Sequence, residues 1–339
     1  MKRIICALLI IGSLSICALT ESNLQSATPA QPATLDERLG PDDGAALAIL
    51  VGGNMRGNMG MCDCSIPRGG LARRIGFVEA FKKKFKDTPI LQVEAGFLWY
   101  NSAGYPPAAV LQNELMAKAY SRWPVDVINL GRHDIVFAQR MLAKEGLAER
   151  MNALPMLKNV ISANGIFYSD ATPPPAYTVK EVKGPRIKGA KNSLRIGFIG
   201  LAQPIKPAEG RDGTVKDMYE TAKSIIPQAR KECDVLIVVA HAELGVAVRI
   251  AEENPQVDVV IAGNPRSYVN PRQVGNAYVV CAAPGNTQHG SLLLYANGEG
   301  RITYKYNSVG LDEVVPADPE AAAFAEKSRQ ELELFRQKR

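Results

Sequence analysis

Short apolar runs alternate with amphipathic stretches along most of the chain. Residues 45–51 and 235–240 are continuous apolar runs, which is typical of strands buried on both faces of a sheet. Residues 71–85 instead repeat apolar side chains at intervals of three and four, which is typical of a helix with one buried face. Because strands and helices alternate in both halves of the chain, the pattern predicts an α/β fold.

The predicted elements cover the chain from residue 45 almost to its end. Residues 297–300 have the sequence Asn-Gly-Glu-Gly and predict a turn that joins the last two strands as a hairpin. The predicted strands are 45–51, 89–94, 125–129, 159–162, 177–182, 194–200, 235–240, 257–262, 277–282, 291–296 and 302–309. The predicted helices are 71–85, 108–121, 135–149, 214–231, 245–253 and 319–339.

The N-terminus has the pattern of a secretory signal. Lys2 and Arg3 precede an apolar run over residues 4–16, which is too short to span a bilayer comfortably. We therefore expect residues 1–17 to be a signal peptide and the protein to be exported, either periplasmic or lipid-anchored in a bacterial envelope. Residues 14–17 resemble a lipobox, which would place a lipid on Cys17. This lipid is the only link to a membrane that we expect. The alternative is that cleavage nearby releases a protein without a lipid.

The composition divides the rest of the chain into three parts. Residues 18–42 are rich in Ala, Pro, Ser and Thr and show no periodicity, which predicts a flexible linker. Residues 43–312 contain the alternating strands and helices and predict one folded domain. Residues 313–339 end in a charged amphipathic stretch, which predicts a C-terminal helix.

The charge and the aromatic content narrow the classes of partner. The chain has 339 residues, a formal net charge of +6 and only 6% aromatic residues. Few aromatic side chains disfavour a surface that stacks nucleic-acid bases, so no nucleic-acid partner is expected. The mild positive charge fits either a solvated basic surface or a site that attracts a small anion.

Polar and charged residues follow five of the predicted strands. Parallel strands of an α/β sheet place their carboxyl ends at one edge, and ligands bind there. The sequence therefore predicts that these residues gather in one site. The groups are Asn54-Met55-Arg56, Gly96-Phe97, Arg132-His133-Asp134, His241-Ala242-Glu243 and Asn264-Pro265-Arg266.

The order and spacing of these strand ends resemble the calcineurin-like metallophosphoesterase superfamily. Residues 69–74 (Gly-Gly-Leu-Ala-Arg-Arg) and 196–201 (Ile-Gly-Phe-Ile-Gly-Leu) are similar to segments of its 5'-nucleotidase-like branch. The resemblance covers roughly residues 45–310. It implies a sandwich of two mixed β-sheets flanked by helices, and hydrolysis of phosphoesters by the family members whose sites are complete.

The resemblance also implies two metal ions held by ligands from these strand ends. His133, Asp134 and His241 match the family pattern, which implies a catalytic role for His133 and Asp134 and a metal ligand at His241. Phe97 stands where a carboxylate that bridges the metals is expected, so a two-metal centre is not expected, and a cofactor role for a divalent metal stays open. The other replaced ligand positions hold Asn54, Arg56, Arg132, Asn264 and Arg266.

The arginines at these positions suggest a different ligand. Guanidinium groups bind phosphate or sulfate oxygens in a forked geometry, so Arg56, Arg132 and Arg266 predict an anion site that needs no metal. Asn54 and Asn264 would add polar contacts there. The alternative is that the arginines turn to solvent or pair with nearby acids, namely Asp63, Glu94, Asp134 or Glu243.

Two cysteines follow the first strand in a Gly-rich loop. Cys62 and Cys64 are separated by one residue, so they predict either a disulfide or, as thiolates, a site for a soft metal. With His133 or His241 they would make a new mononuclear site.

Three functions stay open from the sequence. The first is a non-catalytic protein of this fold that binds a phosphate-like anion, another small molecule or a cell-envelope protein. The second is an active hydrolase of phosphoesters or nucleotides with a remodelled metal site. The third is a redox or metal-handling accessory protein that uses Cys62 and Cys64.

Overall fold

The computed structural model divides the chain into residues 1–33 and residues 34–339, and the description below concerns the second part. The described residues are 33–63, 65–142, 149, 154–167, 173–187, 193–204, 215–267, 269–282, 285–296 and 301–338.

The described residues form strands that alternate with helices, as the apolar pattern predicts. The strands are β1 (Leu47–Gly52), β2 (Ile90–Glu94), β3 (Val127–Asn129), β4 (Val160–Ile161), β5 (Tyr177–Lys183), β6 (Ser193–Ala202), β7 (Val235–His241), β8 (Val259–Ala262), β9 (Arg272–Val274), β10 (Ala277–Cys281), β11 (Gln288–Ala296) and β12 (Ile302–Gly310). The helices are α1 (Leu35–Leu39), α2 (Leu71–Lys84), α3 (Pro107–Arg122), α4 (Arg132–Leu142), α5 (Met218–Arg230), α6 (Leu244–Glu253) and α7 (Pro319–Gln337), with a 3-10 helix at Pro155–Asn159.

The strands form two six-stranded sheets, and each sheet is mixed. In the first, β1 to β4 are parallel neighbours, and β11 joins β1 antiparallel and carries β12 at the edge. In the second, β6, β7, β8 and β10 are parallel, with β5 and β9 as antiparallel edges. These sheets and their flanking helices confirm the predicted α/β sandwich.

The two sheets pack face to face over a shared apolar core. Ile49 and Val93 of the first sheet lie in one buried cluster with Phe198, Ile237 and Val259 of the second. The outer face of each sheet is covered by helices in separate clusters, with α2 and α3 over the first sheet and α5 and α6 over the second. Burial on both faces explains why β1 and β7 are apolar at nearly every position.

Side-chain amides join the carboxyl ends of the two sheets. Asn54, just after β1, donates from Nδ2 to the carbonyl oxygen of Gly263 after β8, over 2.8 Å. Asn129 at the end of β3 donates to the carbonyl oxygen of Leu201 in β6, over 3.0 Å. Both asparagines are buried. The strand ends that carry the predicted site residues are therefore held together by hydrogen bonds between the sheets.

The predicted linker over residues 18–42 extends too far, because α1 lies inside it. Thr34 and Glu37 form a reciprocal capping box at the start of α1. Leu39 is buried against the first sheet's outer cluster, and Arg38 pairs with Asp312 at 2.8 Å. Within the described residues, the folded part therefore includes Thr34 to Leu39, ahead of the predicted boundary at residue 43.

Other boundaries differ at the ends of elements. Helix α4 begins at Arg132, three residues before the predicted start, so the polar residues after β3 lie in its first turn. Strand β9 and the 3-10 helix were not predicted. The predicted turn at residues 297–300 lies outside the described residues. Within the part of the chain described above, no helix combines the length and apolar composition that crossing a membrane requires.

Candidate functional site

The loop after β1 carries two non-glycine residues with positive φ. Asn54 has φ 60° and Arg56 has φ 52°, in the left-handed region that few side chains adopt without strain. Backbone hydrogen bonds hold this shape, because Asn54 and Arg56 donate their amides to the carbonyl oxygens of Gly96 and Phe97. The loops after β1 and β2 are therefore held together by backbone hydrogen bonds.

The Phe97 ring lies at the centre of the strand-end site. The Arg56 guanidinium stands 5.0 Å from its centroid, within the range of a cation–π contact. The His133 ring stacks on Phe97 with centroids 4.5 Å apart, and His241 meets it edge-on at 6.0 Å. The ring of Phe97 is thus in contact with three of the residues that the sequence predicts in the site.

His241 is buried between two glycines. Its side chain lies at the end of β7, and the residue is only 5% exposed. A Cβ atom on Gly96 or Gly131 would come within about 2.8 Å of the imidazole ring, so both positions must be glycine for His241 to fit. Its Nε2 finds no hydrogen-bond partner among the described residues. Burial, with the nearby charges of His133, Arg56 and Arg132, lowers the pKa of His241 to about 3.

Asp134 binds the backbone of the site loops. Its carboxylate accepts hydrogen bonds from the amides of Phe97 (2.7 Å), Trp99 (3.0 Å) and Gly131 (2.8 Å). The residue is fully buried, and this burial outweighs the three donors and raises its pKa to about 7. Asp134 therefore fixes where the Phe97 ring and the start of α4 lie.

His133 and Arg132 are neighbours at the first turn of α4. Arg132 Nη2 lies 3.2 Å from Nε2 and 3.4 Å from Nδ1 of the His133 ring. Both residues are half-buried, so they face the mouth of the site. The charges of Arg56 and Arg132 therefore both act on the region around His241 and Phe97.

Arg266 is committed to an ion pair. Its Nη2 and Nε lie 3.0 and 3.2 Å from Oε1 of Glu243, and its side chain is 85% exposed. Asn264 is half-buried beside it, and with Arg56 these residues line an open cleft of about 480 Å³. The predicted alternative, that an arginine pairs with Glu243, therefore holds for Arg266.

Cys62 is disulfide-bonded. Cys233 and Cys281 are free and buried, so the partner of Cys62 lies outside the described residues. Cys64 itself also lies outside them. A redox or metal-binding role for Cys62 and Cys64 stays a prediction.

The side chains around Phe97 do not fit a two-metal centre. Such a centre needs carboxylate, imidazole and amide donors that converge on a shared space. Here the Phe97 ring, which offers no metal-binding atom, lies against Arg56, His133 and His241, and Asn54 directs its amide nitrogen to a backbone carbonyl. Nowhere in the described residues do three or more His, Cys, Asp or Glu side chains form a group that could hold a metal ion.

A buried charged network below the site was not predicted from the sequence. Arg74 of α2 pairs with Glu94 of β2 at 2.5 Å, and Tyr120 of α3 donates to the same carboxylate at 2.6 Å. Arg74 also donates to the Tyr120 hydroxyl at 2.7 Å. Two features of the sequence could have indicated this network. Glu94 ends a mostly apolar strand, and Arg74 lies on the amphipathic helix that follows residues 69–70. Because a buried charge needs a partner of opposite charge, these two residues could have been expected to pair.

Known relatives match part of the chain. No family model matches. The chain is 28% identical over 98 residues to YunD of Bacillus subtilis, an uncharacterized metallophosphoesterase, which covers 29% of this chain and 21% of that protein. It is 28% identical over 224 residues to the 2',3'-cyclic-nucleotide 2'-phosphodiesterase/3'-nucleotidase of Salmonella typhimurium, which covers 60% of this chain and 33% of the relative. The chain thus spans a third or less of the length of both relatives.

A solved structure shows the same fold. The 5'-nucleotidase precursor of Thermus thermophilus aligns with a TM-score of 0.63 and 20% identity, covering 86% of this chain and 60% of that one. The strand ends in this chain bring Arg56, Phe97 and His133 into contact, and Asn54 joins the end of β1 to that of β8. The resemblance is therefore confirmed, and this chain has the calcineurin-like metallophosphoesterase fold, in its 5'-nucleotidase-like form, with degenerate metal-binding motifs.

Proposed function

We propose that this chain is an exported, non-catalytic protein of the phosphoesterase fold that binds a phosphate-like anion around Phe97. One observation carries the proposal. The Arg56 guanidinium lies over one part of the Phe97 ring, and His133, with Arg132 beside it, stacks on another part of the same ring.

The charges of the site favour an anion. Arg56 makes no ion pair with a carboxylate among the described residues, and its side chain is exposed at the cleft. The pKa of His241 is lowered partly by the charges of Arg56, Arg132 and His133, so these groups act on one small region. Guanidinium groups hold oxyanions through charge-assisted, forked hydrogen bonds.

The same side chains explain why we propose binding without hydrolysis. Hydrolysis of a phosphoester needs an activated water as well as a clamp on the phosphoryl oxygens. The arginines can supply the clamp, but both oxygens of Asp134 accept backbone amides, so this carboxylate is not directed at a ligand. His241 keeps a neutral imidazole at neutral pH behind the Phe97 ring.

Export is part of the proposal and rests on the N-terminal sequence. Lys2, Arg3 and the apolar residues 4–16 have the pattern of a signal peptide. The Thermus thermophilus 5'-nucleotidase with the same fold is itself described as a precursor.

Calorimetric titration with inorganic phosphate tests the site. We expect saturable binding that weakens roughly 5- to 30-fold in Arg56→Gln and in Arg132→Gln, because each loses a charge-assisted hydrogen bond of about 1–2 kcal/mol. Arg266→Gln should weaken binding less, because Glu243 already neutralises Arg266. Arg336→Gln, an exposed arginine on α7, serves as the control and should bind like the unchanged protein.

Two results would contradict the proposal. Equal phosphate binding by the unchanged protein and by Arg56→Gln and Arg132→Gln would place the anion elsewhere. Turnover of p-nitrophenyl phosphate or a nucleotide with Zn²⁺, Mn²⁺ or Mg²⁺, lost in His241→Ala, would establish the alternative of an active hydrolase with a remodelled metal site.

A further inference from the structure

A second cavity lies under the C-terminal helix, on the far side of the loop that carries Arg56. It measures about 480 Å³, within the range of cavities that hold small organic molecules. Its walls are the loop from Gly57 to Met61, the start of α2, one turn of α3 and the inner face of α7. Neither the phosphate site nor the fold's main core uses this space.

Most of the cavity wall is apolar and adaptable. Methionine side chains have three rotatable bonds and adapt to ligands of irregular shape. The small alanine side chains on α7 leave space beside them. Met61 is 49% exposed, so the apolar surface continues to the cavity mouth. The apolar lining includes Met59, Met61, Ala72, Leu115, Ala325 and Leu332.

One positive charge in the wall lacks a carboxylate partner in the described part of the chain. Among the described residues, the guanidinium of Arg73 donates from Nη1 to the carbonyl oxygens of Pro67 (2.6 Å) and Leu311 (3.4 Å), and its other N–H groups have no acceptor there. The other charged wall residues, Glu326 and Arg329, pair with each other at 2.7 Å.

A buried hydroxyl adds a second polar group. Ser328 lines the cavity and is 4% exposed. Its hydroxyl can donate a hydrogen bond to a ligand oxygen in the cavity, so it favours a ligand that carries an acceptor.

We propose that this cavity binds an elongated apolar molecule that ends in one anionic group, such as a medium-chain carboxylate. The apolar wall covers the hydrocarbon part, and Arg73 binds the carboxylate. Because the remaining wall charges neutralise each other, a second charge on the ligand would find no partner. The site is separate from the phosphate site, so either can fail without the other.

Decanoate and decanol form a matched pair of probes, since they differ at the end group. Calorimetry should show saturable decanoate binding at least five times tighter than decanol binding. Arg73→Gln should remove that difference by weakening decanoate alone. Ala325→Phe, which fills the cavity from α7, should abolish binding of both probes, whereas Ala323→Phe on the exposed side of the same helix should change neither.

The fold of each variant is checked by thermal unfolding, and Ala322→Leu replaces Ala325→Phe if the larger side chain prevents folding. Decanoate binding that survives both filling variants would overturn the proposed site. Decanol binding as tight as decanoate binding, or an unchanged preference in Arg73→Gln, would overturn the anionic end group. Phosphate titration of Ala325→Phe should be unaffected, which separates this test from that of the phosphate site.

Discussion

Asp134 shows how a residue typical of an active site can serve the backbone instead. Its carboxylate accepts three amide hydrogen bonds from two loops, so it connects the loop after β2 to the start of α4. Phe97, with φ 57°, holds its strained conformation next to one of these bonds. The position of the aromatic ring at the centre of the site thus depends on a carboxylate that the ligand need not contact.

Asp134→Asn should therefore destabilise the fold. In asparagine an NH2 group replaces one of the two carboxylate oxygens, and this group cannot accept a hydrogen bond. At least one buried backbone N–H therefore loses its acceptor, at a cost of about 1–3 kcal/mol of unfolding free energy. Urea unfolding measures this loss, and Asp126→Asn, whose residue accepts only the amide of Gln92 in a less buried setting, serves as the comparison. Equal stability of Asp134→Asn and the unchanged protein would contradict the proposed backbone role.

The site residues could be predicted from the sequence more readily than their orientations. A polar residue directly after an apolar strand identifies a strand end, which placed His133 and His241 in the site. The partners of each side chain come from distant segments, so the pattern did not decide between a free arginine and a paired one. Arg266 pairs with Glu243, 23 residues away and on another loop.

At the scale of elements, Arg74, Glu94 and Tyr120 connect α2, β2 and α3 through one buried network. Arg74 and Glu94 are 4% and 0% exposed, so neither charge can be hydrated if its partner is lost. Such a pair adds little net stability over an apolar pair of similar size, but breaking it leaves a buried charge alone.

Single and double substitutions should separate these two effects. Glu94→Leu should cost about 3–5 kcal/mol of unfolding free energy, because Arg74 is then buried without a counter-charge. Arg74→Met combined with Glu94→Leu should recover most of that loss. Urea unfolding of the two single variants and the double variant completes the cycle, and a double variant that loses as much as the sum of the singles would contradict this account.

Short elements were the ones that the apolar pattern missed. Helix α1 has five residues, too few to show a helical repeat, and it is stable because of the Thr34–Glu37 capping box and the burial of Leu39. The long elements, such as α2 and β7, were predicted correctly because their own sequences carry the period. Tertiary contacts decide the short elements, and a single sequence does not show those contacts.

At the scale of the whole molecule, two buried histidines make the fold sensitive to acid. Burial lowers the pKa of both His241 and His289 to about 3, below the usual value of 6.5. The unfolded chain therefore binds more protons than the folded one between pH 6.5 and pH 3. Stability is fully present above pH 6.5 and falls as the pH falls through this window. Asp134, with its pKa raised to about 7, has the opposite effect between pH 7 and 4.

His289→Gln should reduce this acid sensitivity. His289 stacks on Phe77 in the core, 4.8 Å between centroids, and takes no part in the anion site. From pH 7 to pH 5 the unchanged protein should lose about 2 kcal/mol more unfolding free energy than the variant does. The reason is that His289 binds a proton in the unfolded chain over this range, whereas glutamine does not. From pH 8 to pH 7 the two proteins should change alike. An equal loss from pH 7 to pH 5 would contradict a buried, neutral His289.

The left-handed backbone at Phe97 gives this molecule an unusual starting point for protein engineering. Asn and Asp adopt positive φ far more readily than a bulky aromatic residue does, so the loop has a shape that suits a short carboxylate better than the side chain it carries. A designer who introduces aspartate there would gain a ligand and relieve strain with one substitution. A first step towards a metal site in this loop would then lower the conformational energy of the backbone instead of raising it.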